Sequence, residues 1–457
     1  MKLASSVHAS ISMACVLALA ACGGGGDDGV TPAGTARYQV GGTVSGLGTS
    51  GLVLANGSST VSVASGATTF NFADTVASGG AYGVTVRSQP PGQTCTVYNS
   101  SGSVGSANVN NVSVNCRGYV AYTTNMNVNA SSISEYSLSG SGALSLLGAG
   151  AINAGSKSPR GIVVAPNGRF AYVANSNSAA GAQGNSISQF TVNPDGSLAA
   201  LGSPVATGNE PIDLAITPDG RFVYAVNFND NTLSQYTVGA DGQLSAMSPV
   251  QVATGIGPSA IAITPDGLHA YVANYSGGTV GVYDIASNGA LTLATTVSLA
   301  GGPRQIAITR DGSYAYVTLA VQGKVAQFAI VANGALAPLT TATVPAGMYP
   351  YGITTTADGK FVYVANLNGN NISQYRVGTD GGLTALTPAT LSSGVGGAAG
   401  ASPHGMSFTP DGKFLYVSNL GNSAISQFSV GTDGTLTGVA STLLTSAAAS
   451  PWALLVH

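Results

Sequence analysis

From residue 158 to the C-terminus, the chain repeats one unit of about 48 residues that begins with a proline and continues into a short apolar segment. In six of the seven copies an Asp-Gly or Asn-Gly pair follows, and then a segment that contains a tyrosine. A period of this length with four strand-like segments is typical of a β-propeller. The repeated prolines are Pro159, Pro211, Pro258, Pro303, Pro350, Pro403 and Pro451.

The two ends of this repeat are incomplete in complementary ways. The last copy, which begins at Pro451, stops after its first apolar segment. At the other end, the tyrosine segment around Tyr122 is not preceded by a proline and a first apolar segment. We expect residues 454–456 to pair with residues 119–124, because this pairing closes the ring and removes an exposed sheet edge. The sequence therefore predicts an all-β chain with a seven-bladed β-propeller at residues 118–457, built of four-stranded blades and with one blade shared by the two ends.

The chain carries unusually little charge. Asp, Glu, Lys and Arg make up 7% of its residues, against roughly 25% in ordinary soluble proteins. A propeller blade packs both faces against its neighbours, where an unpaired charge is costly. The net charge of −3 and the lack of any Lys/Arg cluster argue against nucleic acid as a partner. No run of 18 apolar residues follows the N-terminal segment, so no membrane-spanning helix is predicted.

Residues 1–22 have the features of a targeting segment. The sequence Leu19-Ala20-Ala21-Cys22 resembles the lipobox of bacterial lipoproteins. This resemblance implies that Cys22 is acylated and that the lipid is the contact with the membrane, whereas cleavage of an ordinary secretory signal near Ala21 is the alternative. Gly23 after the cysteine favours the outer membrane over the inner one. Residues 23–36 are predicted to be a flexible, Gly-rich tether.

Residues 37–117 have a pattern of their own. About seven short segments alternate apolar and small polar residues, and Gly, Asn, Ser and Pro turns separate them. This pattern predicts a β-sandwich, which resembles the small Ig-like modules of bacterial surface and secreted proteins. In an exported chain, Cys95 and Cys116 are expected to form a disulfide between the last two strands. A zinc site is the alternative, but no histidine or further cysteine lies nearby.

The propeller repeat is similar to two known groups. Residues 258–267 and the segment Tyr271-Val272-Ala273-Asn274 resemble the YVTN-type repeats of bacterial and archaeal surface proteins. They are equally similar to the seven-bladed lactonase family, which includes the propeller-type 6-phosphogluconolactonase and a fungal muconate lactonizing enzyme. The resemblance covers residues 118–457. It implies the fold and the superfamily more firmly than it implies an activity.

An Asp or Asn precedes glycine between the first two segments of six units. Both residue types tolerate the positive φ angles of tight hairpins, and one such residue per blade places them far apart around the ring. We therefore interpret them as turn residues, and we predict neither a metal site nor a cofactor. They are Asn167, Asp219, Asp266, Asp311, Asp358 and Asp411.

The positions just after each proline vary, although the rest of the unit is nearly constant. The innermost strands of a propeller converge on the central channel, so we expect these side chains to crowd one face of the axis. Two arginines with aromatic walls suit a small anionic or sugar-like ligand. The alternative is that the side chains only plug the channel. The candidate ligand-binding residues are Arg160, Asp213, Arg304, Gln305, Tyr351, His404 and Trp452.

The match to the lactonases is partial at these positions. Those enzymes carry Pro-His and Pro-Arg-His motifs, with a glutamate after the tyrosine segment of the Pro-Arg-His blade. Arg304 matches the arginine, but Gln305 stands where the next histidine is expected, and residues 317–320 contain no glutamate. The one Pro-His pair, Pro403-His404, lies two blades after Arg304 instead of one before it.

These departures favour a binding or structural module of the cell envelope, with a small molecule, an envelope protein or a glycan as its partner. The alternative is a lactone hydrolase in which His404 acts as the base and Arg160 and Arg304 orient a carboxylate or lactone oxygen. A third interpretation is an architectural surface protein whose working surface is formed by rim loops such as residues 177–185.

Overall fold

The computed structural model describes residues 35–126, 131–176, 185–394, 400–443 and 450–457. Within these ranges the regular structure is entirely β-strand. The predicted signal segment with Cys22, nearly all of the predicted tether and residues 177–184 of the rim loop lie outside the described residues. No helix in the described part of the chain is both long and apolar enough to cross a membrane.

The first unit is a sandwich of two four-stranded sheets, one strand more than the sequence pattern showed. One sheet has the order β4-β1-β8-β6 and the other β3-β2-β5-β7. Its buried side chains, among them Phe70 and Phe72, lie between the sheets. The strands are β1 (Arg37–Ser45), β2 (Leu52–Asn56), β3 (Ser59–Val63), β4 (Thr69–Ala77), β5 (Ala81–Ser88), β6 (Gln93–Tyr98), β7 (Ser101–Ser103) and β8 (Val109–Gly118).

The predicted disulfide is present in this sandwich. Cys95 on β6 and Cys116 on β8 face each other across the antiparallel pair, and their Cα atoms are 3.9 Å apart. The bond therefore joins the last two long strands, as the sequence indicated. The resemblance of the sandwich to Ig-like modules stays a prediction.

Seven further sheets form the propeller. Blade 1 contains β9 (Val120–Asn125), β10 (Ser132–Leu138), β11 (Leu144–Asn153) and β37 (Pro451–Val456). Blade 2 contains β12 (Pro159–Val164), β13 (Phe170–Asn175), β14 (Ser186–Val192), β15 (Leu198–Ala200) and the short β16 (Val205–Ala206). Blade 3 contains β17 (Pro211–Ile216), β18 (Phe222–Asn227), β19 (Thr232–Val238) and β20 (Leu244–Ala253).

The remaining blades follow the same order along the chain. Blade 4 contains β21 (Pro258–Ile263), β22 (His269–Asn274), β23 (Thr279–Ile285) and β24 (Leu291–Ser298). Blade 5 contains β25 (Pro303–Ile308), β26 (Tyr314–Leu319), β27 (Lys324–Ile330) and β28 (Leu336–Pro345). Blade 6 contains β29 (Pro350–Thr355), β30 (Phe361–Asn366), β31 (Asn371–Val377) and β32 (Leu383–Ser392). Blade 7 contains β33 (Pro403–Phe408), β34 (Phe414–Asn419), β35 (Ala424–Val430) and β36 (Leu436–Leu443).

The repeat maps onto the blades as the sequence predicted. Every innermost strand begins at its repeated proline, and these strands contact one another in order around the channel. Ring closure is also confirmed, since β37 pairs with β9 through Leu454–Thr123, Leu455–Tyr122 and Val456–Ala121. The N-terminal and C-terminal parts of the propeller therefore complete blade 1 together.

The residues that precede glycine between the first two strands serve as turn residues. In blade 3, Asp219 Oδ1 accepts hydrogen bonds from Thr217 Oγ1 and from the backbone nitrogen of Arg221. The same Thr–Asp contact recurs at Asp266, Asp311, Asp358 and Asp411. These carboxylates close hairpins, which agrees with the interpretation from the sequence.

The sandwich contacts the propeller at the face where these hairpins lie. Arg117, near the end of β8, donates a hydrogen bond of 2.6 Å to the carbonyl oxygen of Gly168 in the hairpin between β12 and β13. This hairpin is at the opposite end of the innermost strand from Pro159. The channel mouth beside the prolines is therefore on the face away from this contact.

Candidate functional site at the channel mouth

The chain enters six of the seven innermost strands through a distinctive backbone conformation, in which the residue before the proline has a positive φ angle. Four of these residues are not glycines, and their φ angles are 50° at Ser158, 56° at Glu210, 52° at Tyr349 and 47° at Ser402. This left-handed region costs a non-glycine residue roughly 1 kcal/mol or more. Such strain is found where the surrounding structure requires a specific chain direction. Here the positive φ angle fixes the direction in which the chain enters the strand, and so the position of the side chains beside the proline.

Five of the side chains predicted from the sequence form one continuous stack across the mouth. His404 lies between Tyr351 and Trp452, with ring centroids 3.8 and 4.0 Å away. The Arg160 guanidinium lies 4.4 Å from the Trp452 ring, and the Arg304 guanidinium lies 4.4 Å from the Tyr351 ring. A cation over an aromatic face is attracted by the ring quadrupole. The stack therefore begins and ends with a positive charge.

The two arginines have different partners. Arg160 makes an ion pair of 3.3 Å with Glu210, and the side chains of both are 16% exposed. Burial lowers the pKa of Arg160, and the Glu210 carboxylate opposes this effect. Arg304 donates a 2.8 Å hydrogen bond to the Tyr351 hydroxyl and has no carboxylate partner among the described residues. Arg304 is therefore the cation better placed to receive an anion or a developing oxyanion.

A pair of tyrosines lies beside Arg304. The Tyr275 ring is 5.0 Å from the Arg304 guanidinium, and its hydroxyl lies 3.0 Å from the hydroxyl of Tyr349. Burial raises the pKa of Tyr349 to about 12, so the Tyr349 phenol stays protonated at neutral pH. The guanidinium is thus enclosed by Tyr275 on one side and Tyr351 on the other.

His404 is held in one orientation and left with one free nitrogen. It is 4% exposed, and its Nδ1 lies 2.9 Å from the backbone oxygen of Trp452. Because a carbonyl only accepts, this contact assigns the proton to Nδ1 and leaves Nε2 as an acceptor. No described group bonds Nε2. Burial, and then the positive charge of Arg304, hold the pKa of His404 well below its usual value.

The stack borders a cavity of about 130 Å³ that continues into the channel. Asp213 lines it and accepts hydrogen bonds from the backbone nitrogens of Leu214 at 2.9 Å and Ile261 at 3.1 Å. Burial raises the pKa of Asp213 to about 7, although these two bonds oppose the change. The residues that line the cavity include Asp213, Ser259, Arg304, Gln305, Tyr351, His404, Met406, Trp452 and Leu454.

Gln305 also lines the cavity, but its amide oxygen already has a hydrogen-bond donor. Its Oε1 accepts a 3.2 Å hydrogen bond from the backbone nitrogen of Ile353 in the next blade. Asp213 makes the same kind of contact with Ile261. The second position after the proline therefore connects neighbouring innermost strands, and Gln305 has a structural contact of its own.

All seven predicted ligand-binding residues lie at this mouth, but three neighbours were missed. Glu210 and Tyr349 directly precede their prolines, and Tyr275 follows the last residue of β22. The signal was available, because the other residues before the repeated prolines are serines or glycines. Among the described residues, no group of three or more His, Cys, Asp or Glu side chains is arranged to hold a metal ion.

The arrangement can support acid–base chemistry on a small polar molecule. It combines the neutral imidazole of His404, which has an available lone pair, with the Arg304 guanidinium, which has no carboxylate partner among the described residues. It also contains the Asp213 carboxyl group, whose pKa is raised to about 7. A titrating group beside a fixed positive charge is what hydrolysis of an ester-like bond requires.

Comparison with known families identifies this propeller. The family described as "Lactonase, 7-bladed beta-propeller" matches residues 117–391 and 303–451. Among curated proteins, none matches the chain.

Solved structures show the same fold at low sequence identity. A proposed 6-phosphogluconolactonase of Bacteroides fragilis is 22% identical over 74% of this chain and 97% of its own, with a TM-score of 0.64. A protein of Lactobacillus plantarum is 20% identical over 74% and 99%, with a TM-score of 0.63. The periplasmic gluconolactonase of Pseudomonas aeruginosa is 23% identical over 74% and 98%, with a TM-score of 0.60. With the family match over well more than half of its length, the chain belongs to the seven-bladed β-propeller lactonase family.

Proposed function

We propose that this protein hydrolyses a small lactone at the channel mouth, with His404 as the general base and Arg304 as the group that stabilises negative charge. The observation that carries the proposal is the free Nε2 of His404, held by the Trp452 carbonyl in a cavity that Arg304 also lines. Membership of the lactonase family favours this function over the binding or structural module that the sequence suggested.

The proposed reaction adds one water molecule to the lactone. Nε2 of His404 takes a proton from water, and the resulting hydroxide attacks the lactone carbonyl carbon. Negative charge then develops on the carbonyl oxygen, where the donors of Arg304 stabilise it; its Nε is buried and bonds no described group. The bond between the carbonyl carbon and the ring oxygen breaks, the protonated His404 gives its proton to that oxygen, and a hydroxy acid results.

The pH dependence follows from the lowered pKa of His404. A base works in its unprotonated form, and a lowered pKa keeps the imidazole neutral to pH values below those of an ordinary histidine. We therefore expect activity to persist through mildly acidic pH and to fall only below that lowered pKa.

The direct test assays purified protein against aldonolactones by following acid release. His404→Gln is expected to reduce kcat about 10²- to 10⁴-fold, the usual contribution of a general base. The matched control is His269→Gln, because His269 lies on a hairpin at the far face and contacts Asp284 at 3.0 Å. Equal turnover by the His404 variant and the parent protein would contradict the proposal.

A second candidate is binding of a small anion without turnover. The observation that favours it is Gln305, which replaces the histidine expected beside Arg304 and bonds the backbone of the next blade. Trp452 is the one tryptophan of the chain, so its fluorescence reports on the mouth alone. Quenching of this fluorescence by sugar acids, with no acid release from any lactone, would support binding over catalysis.

For the location, we propose export and attachment to the outer membrane through lipid on Cys22. The support is the sequence Leu19-Ala20-Ala21-Cys22 and the presence of a disulfide between Cys95 and Cys116, which suits an oxidising compartment. Metabolic labelling with a radioactive fatty acid tests it. Label that persists in a Cys22→Ala variant would contradict lipidation at this residue.

A further inference from the structure

Three apolar side chains stand out by their exposure. Val321 is 69% exposed, Met348 68% and Ile256 64%, the highest values among the large hydrophobic side chains of the described residues. All three lie in loops at the mouth face. Ile256 lies just before β21, Val321 between β26 and β27, and Met348 just before β29. They therefore belong to three consecutive blades.

These side chains adjoin the tyrosines that flank Arg304. A Cβ atom on Gly302 would lie 2.9 Å from the Tyr275 ring and 3.1 Å from Val321 Cγ2, so the two side chains meet over this glycine. Met348 precedes Tyr349, whose hydroxyl bonds that of Tyr275. The backbone oxygen of Ile256 accepts a 2.8 Å hydrogen bond from Gly277, two residues after Tyr275. We call Ile256, Tyr275, Val321, Met348 and Tyr349 the apolar shelf.

The opposite side of the mouth is polar. It carries the Arg160–Glu210 ion pair. Next to it, Asn209 donates from its backbone nitrogen and from Nδ2 to the Asp230 carboxylate, at 2.7 and 2.6 Å. Asn185 Nδ2 donates to Asn209 Oδ1 at 2.8 Å. The mouth thus carries charged and amide side chains beside blades 2 and 3, whereas the three exposed apolar side chains lie beside blades 4 to 6.

We infer that the substrate is a lactone with an alkyl chain, whose chain lies on the apolar shelf while its ring reaches His404 and Arg304. The inference rests on the proposed function and names its substrate class. The exposed side chains of Ile256, Val321 and Met348 offer no hydrogen-bond partner to the hydroxyl groups of a sugar, whereas an alkyl chain gains by leaving water there. The Tyr275 ring of the shelf lies 5.0 Å from the Arg304 guanidinium. This closeness favours the alkyl chain of a substrate held by Arg304 as the occupant of the shelf over a separate partner molecule.

The prediction is a dependence on chain length. Burial of one methylene group contributes about 0.8 kcal/mol, which corresponds to roughly fourfold in kcat/KM. We expect kcat/KM to rise by up to this factor for each added methylene along a series from γ-butyrolactone to γ-dodecalactone, and to level off once the chain extends past the shelf. Glucono-δ-lactone should be the poorer substrate.

The double variant Val321→Ser/Met348→Ser tests the shelf directly. We expect the ratio of kcat/KM for γ-dodecalactone to that for γ-butyrolactone to fall at least tenfold. Leu268→Ser is the matched control, because Leu268 is 55% exposed but lies at the hairpin before β22, on the opposite face. This control should keep the ratio of the parent protein.

The outcomes separate the two proposals. Hydrolysis with no dependence on chain length, or with a ratio unchanged in the double variant, would overturn the inference and leave the lactonase function intact. Absence of hydrolysis for every lactone would overturn the function. In that case, quenching of Trp452 fluorescence by the same lactones still decides whether affinity follows chain length through the shelf. Binding of the shelf to lipid vesicles or to another protein, with no effect of chain length, would also overturn the inference.

Discussion

The same sequence repeat forms two regions of the propeller, the contacts between neighbouring blades and the channel mouth. The two regions differ in how much their residues vary from one unit to the next. At the interfaces, one contact recurs around the whole ring, whereas at the mouth almost every blade contributes a different side chain. Since seven first strands meet around one axis, a single ligand can touch several of these side chains at once. The residues that vary beside the channel axis can therefore form a binding site, whereas the residues that recur between the blades hold the ring together.

The recurring contact is a hydrogen bond between adjacent blades. The tyrosine of each second strand is buried, and its hydroxyl donates to the backbone oxygen of a hairpin glycine in the next blade. Glycine is required there: a Cβ on Gly289 would lie 2.2 Å from the Phe222 ring, and φ at this residue is 83°. The pairs are Tyr122–Gly196, Tyr172–Gly242, Tyr224–Gly289, Tyr271–Gly334, Tyr316–Gly381, Tyr363–Gly434 and Tyr416–Gly142.

The two regions also differ in how completely their polar atoms are paired. Each tyrosine hydroxyl at the interfaces has its carbonyl partner. At the mouth, Nε of Arg160, Nε of Arg304 and Nε2 of His404 are buried and bond no described group. Buried polar atoms without partners lower stability, and proteins retain them where a bound ligand supplies the missing hydrogen bond. Buried atoms without a partner also occur elsewhere, as Oδ1 of Asn227 and of Asn274 do. At the mouth, however, the unpaired guanidinium nitrogen of Arg304 and the unpaired imidazole nitrogen of His404 belong to residues that line one cavity, which supports the mouth as the functional region.

The largest expected effect is on an interface. Tyr224→Ala removes a fully buried ring together with its 2.7 Å hydrogen bond to Gly289, so we expect the free energy of unfolding to fall by about 3–5 kcal/mol. Chemical denaturation measures this change. Trp452 fluorescence should still respond to ligand in the folded fraction, and loss of that response would show that the two regions are not independent.

A substitution at the mouth should reduce activity and have little effect on stability. Arg304→Gln removes the cation proposed to stabilise the oxyanion, and kcat/KM for lactones should fall about 10²- to 10³-fold. The free energy of unfolding should change by less than about 1 kcal/mol, because the side chain is half-buried at the rim of the channel. Arg221→Gln is the control, since Arg221 is exposed at the hairpin face. A large loss of stability in Arg304→Gln without a loss of turnover would mean that Arg304 serves the fold and not the reaction.

The sequence was sufficient for the arrangement of the blades and the closure of the ring, and only partly sufficient for the mouth. The start of each first strand at its proline and the pairing of β37 with β9 follow from the period and from the incomplete ends. The positions after the prolines indicated that Arg160, Arg304 and His404 would meet. Their stacking order could not be inferred, because it depends on ring geometry across distant blades. Glu210 stands out in the sequence from the serines and glycines before most other repeated prolines, but its approach to Arg160 depends on a positive φ angle that only the structure shows.

A smaller effect is expected when only the hydroxyl of an interface tyrosine is removed. Tyr224→Phe keeps the ring but leaves the Gly289 carbonyl without this donor, and such a loss costs about 1–3 kcal/mol. The melting temperature and the denaturation midpoint measure it. An effect as large as that of Tyr224→Ala would mean that the hydrogen bond, and not the packing of the ring, is the main contribution at this interface.

The smallest expected effect concerns the carboxyl group of Glu135 in the contact between blades 1 and 2. In most blades a third-strand glutamine accepts a hydrogen bond from a leucine nitrogen of the next blade, as Gln189 Oε1 does from Leu244 at 2.6 Å. In blade 1 this position is Glu135, which is 3% exposed and accepts from Leu198 at 2.6 Å. Burial raises the pKa of Glu135, although the bond from Leu198 opposes the change. The folded protein therefore holds this proton more tightly than the unfolded chain does.

The sign of the pH dependence follows from linkage. For a carboxyl group whose pKa is raised by folding, the contribution to stability is greatest below its ordinary pKa of 4.5 and is lost as the pH rises through the folded-state pKa. Glu135→Gln removes this loss, so the variant should be more stable than the parent by about 1 kcal/mol at pH 7, with a smaller difference near pH 4. The reciprocal change Gln189→Glu should lower stability at pH 7 and recover it in acid. Equal effects of Glu135→Gln at both pH values would mean that the packing of the side chain, and not its ionisation, distinguishes blade 1 from its neighbours.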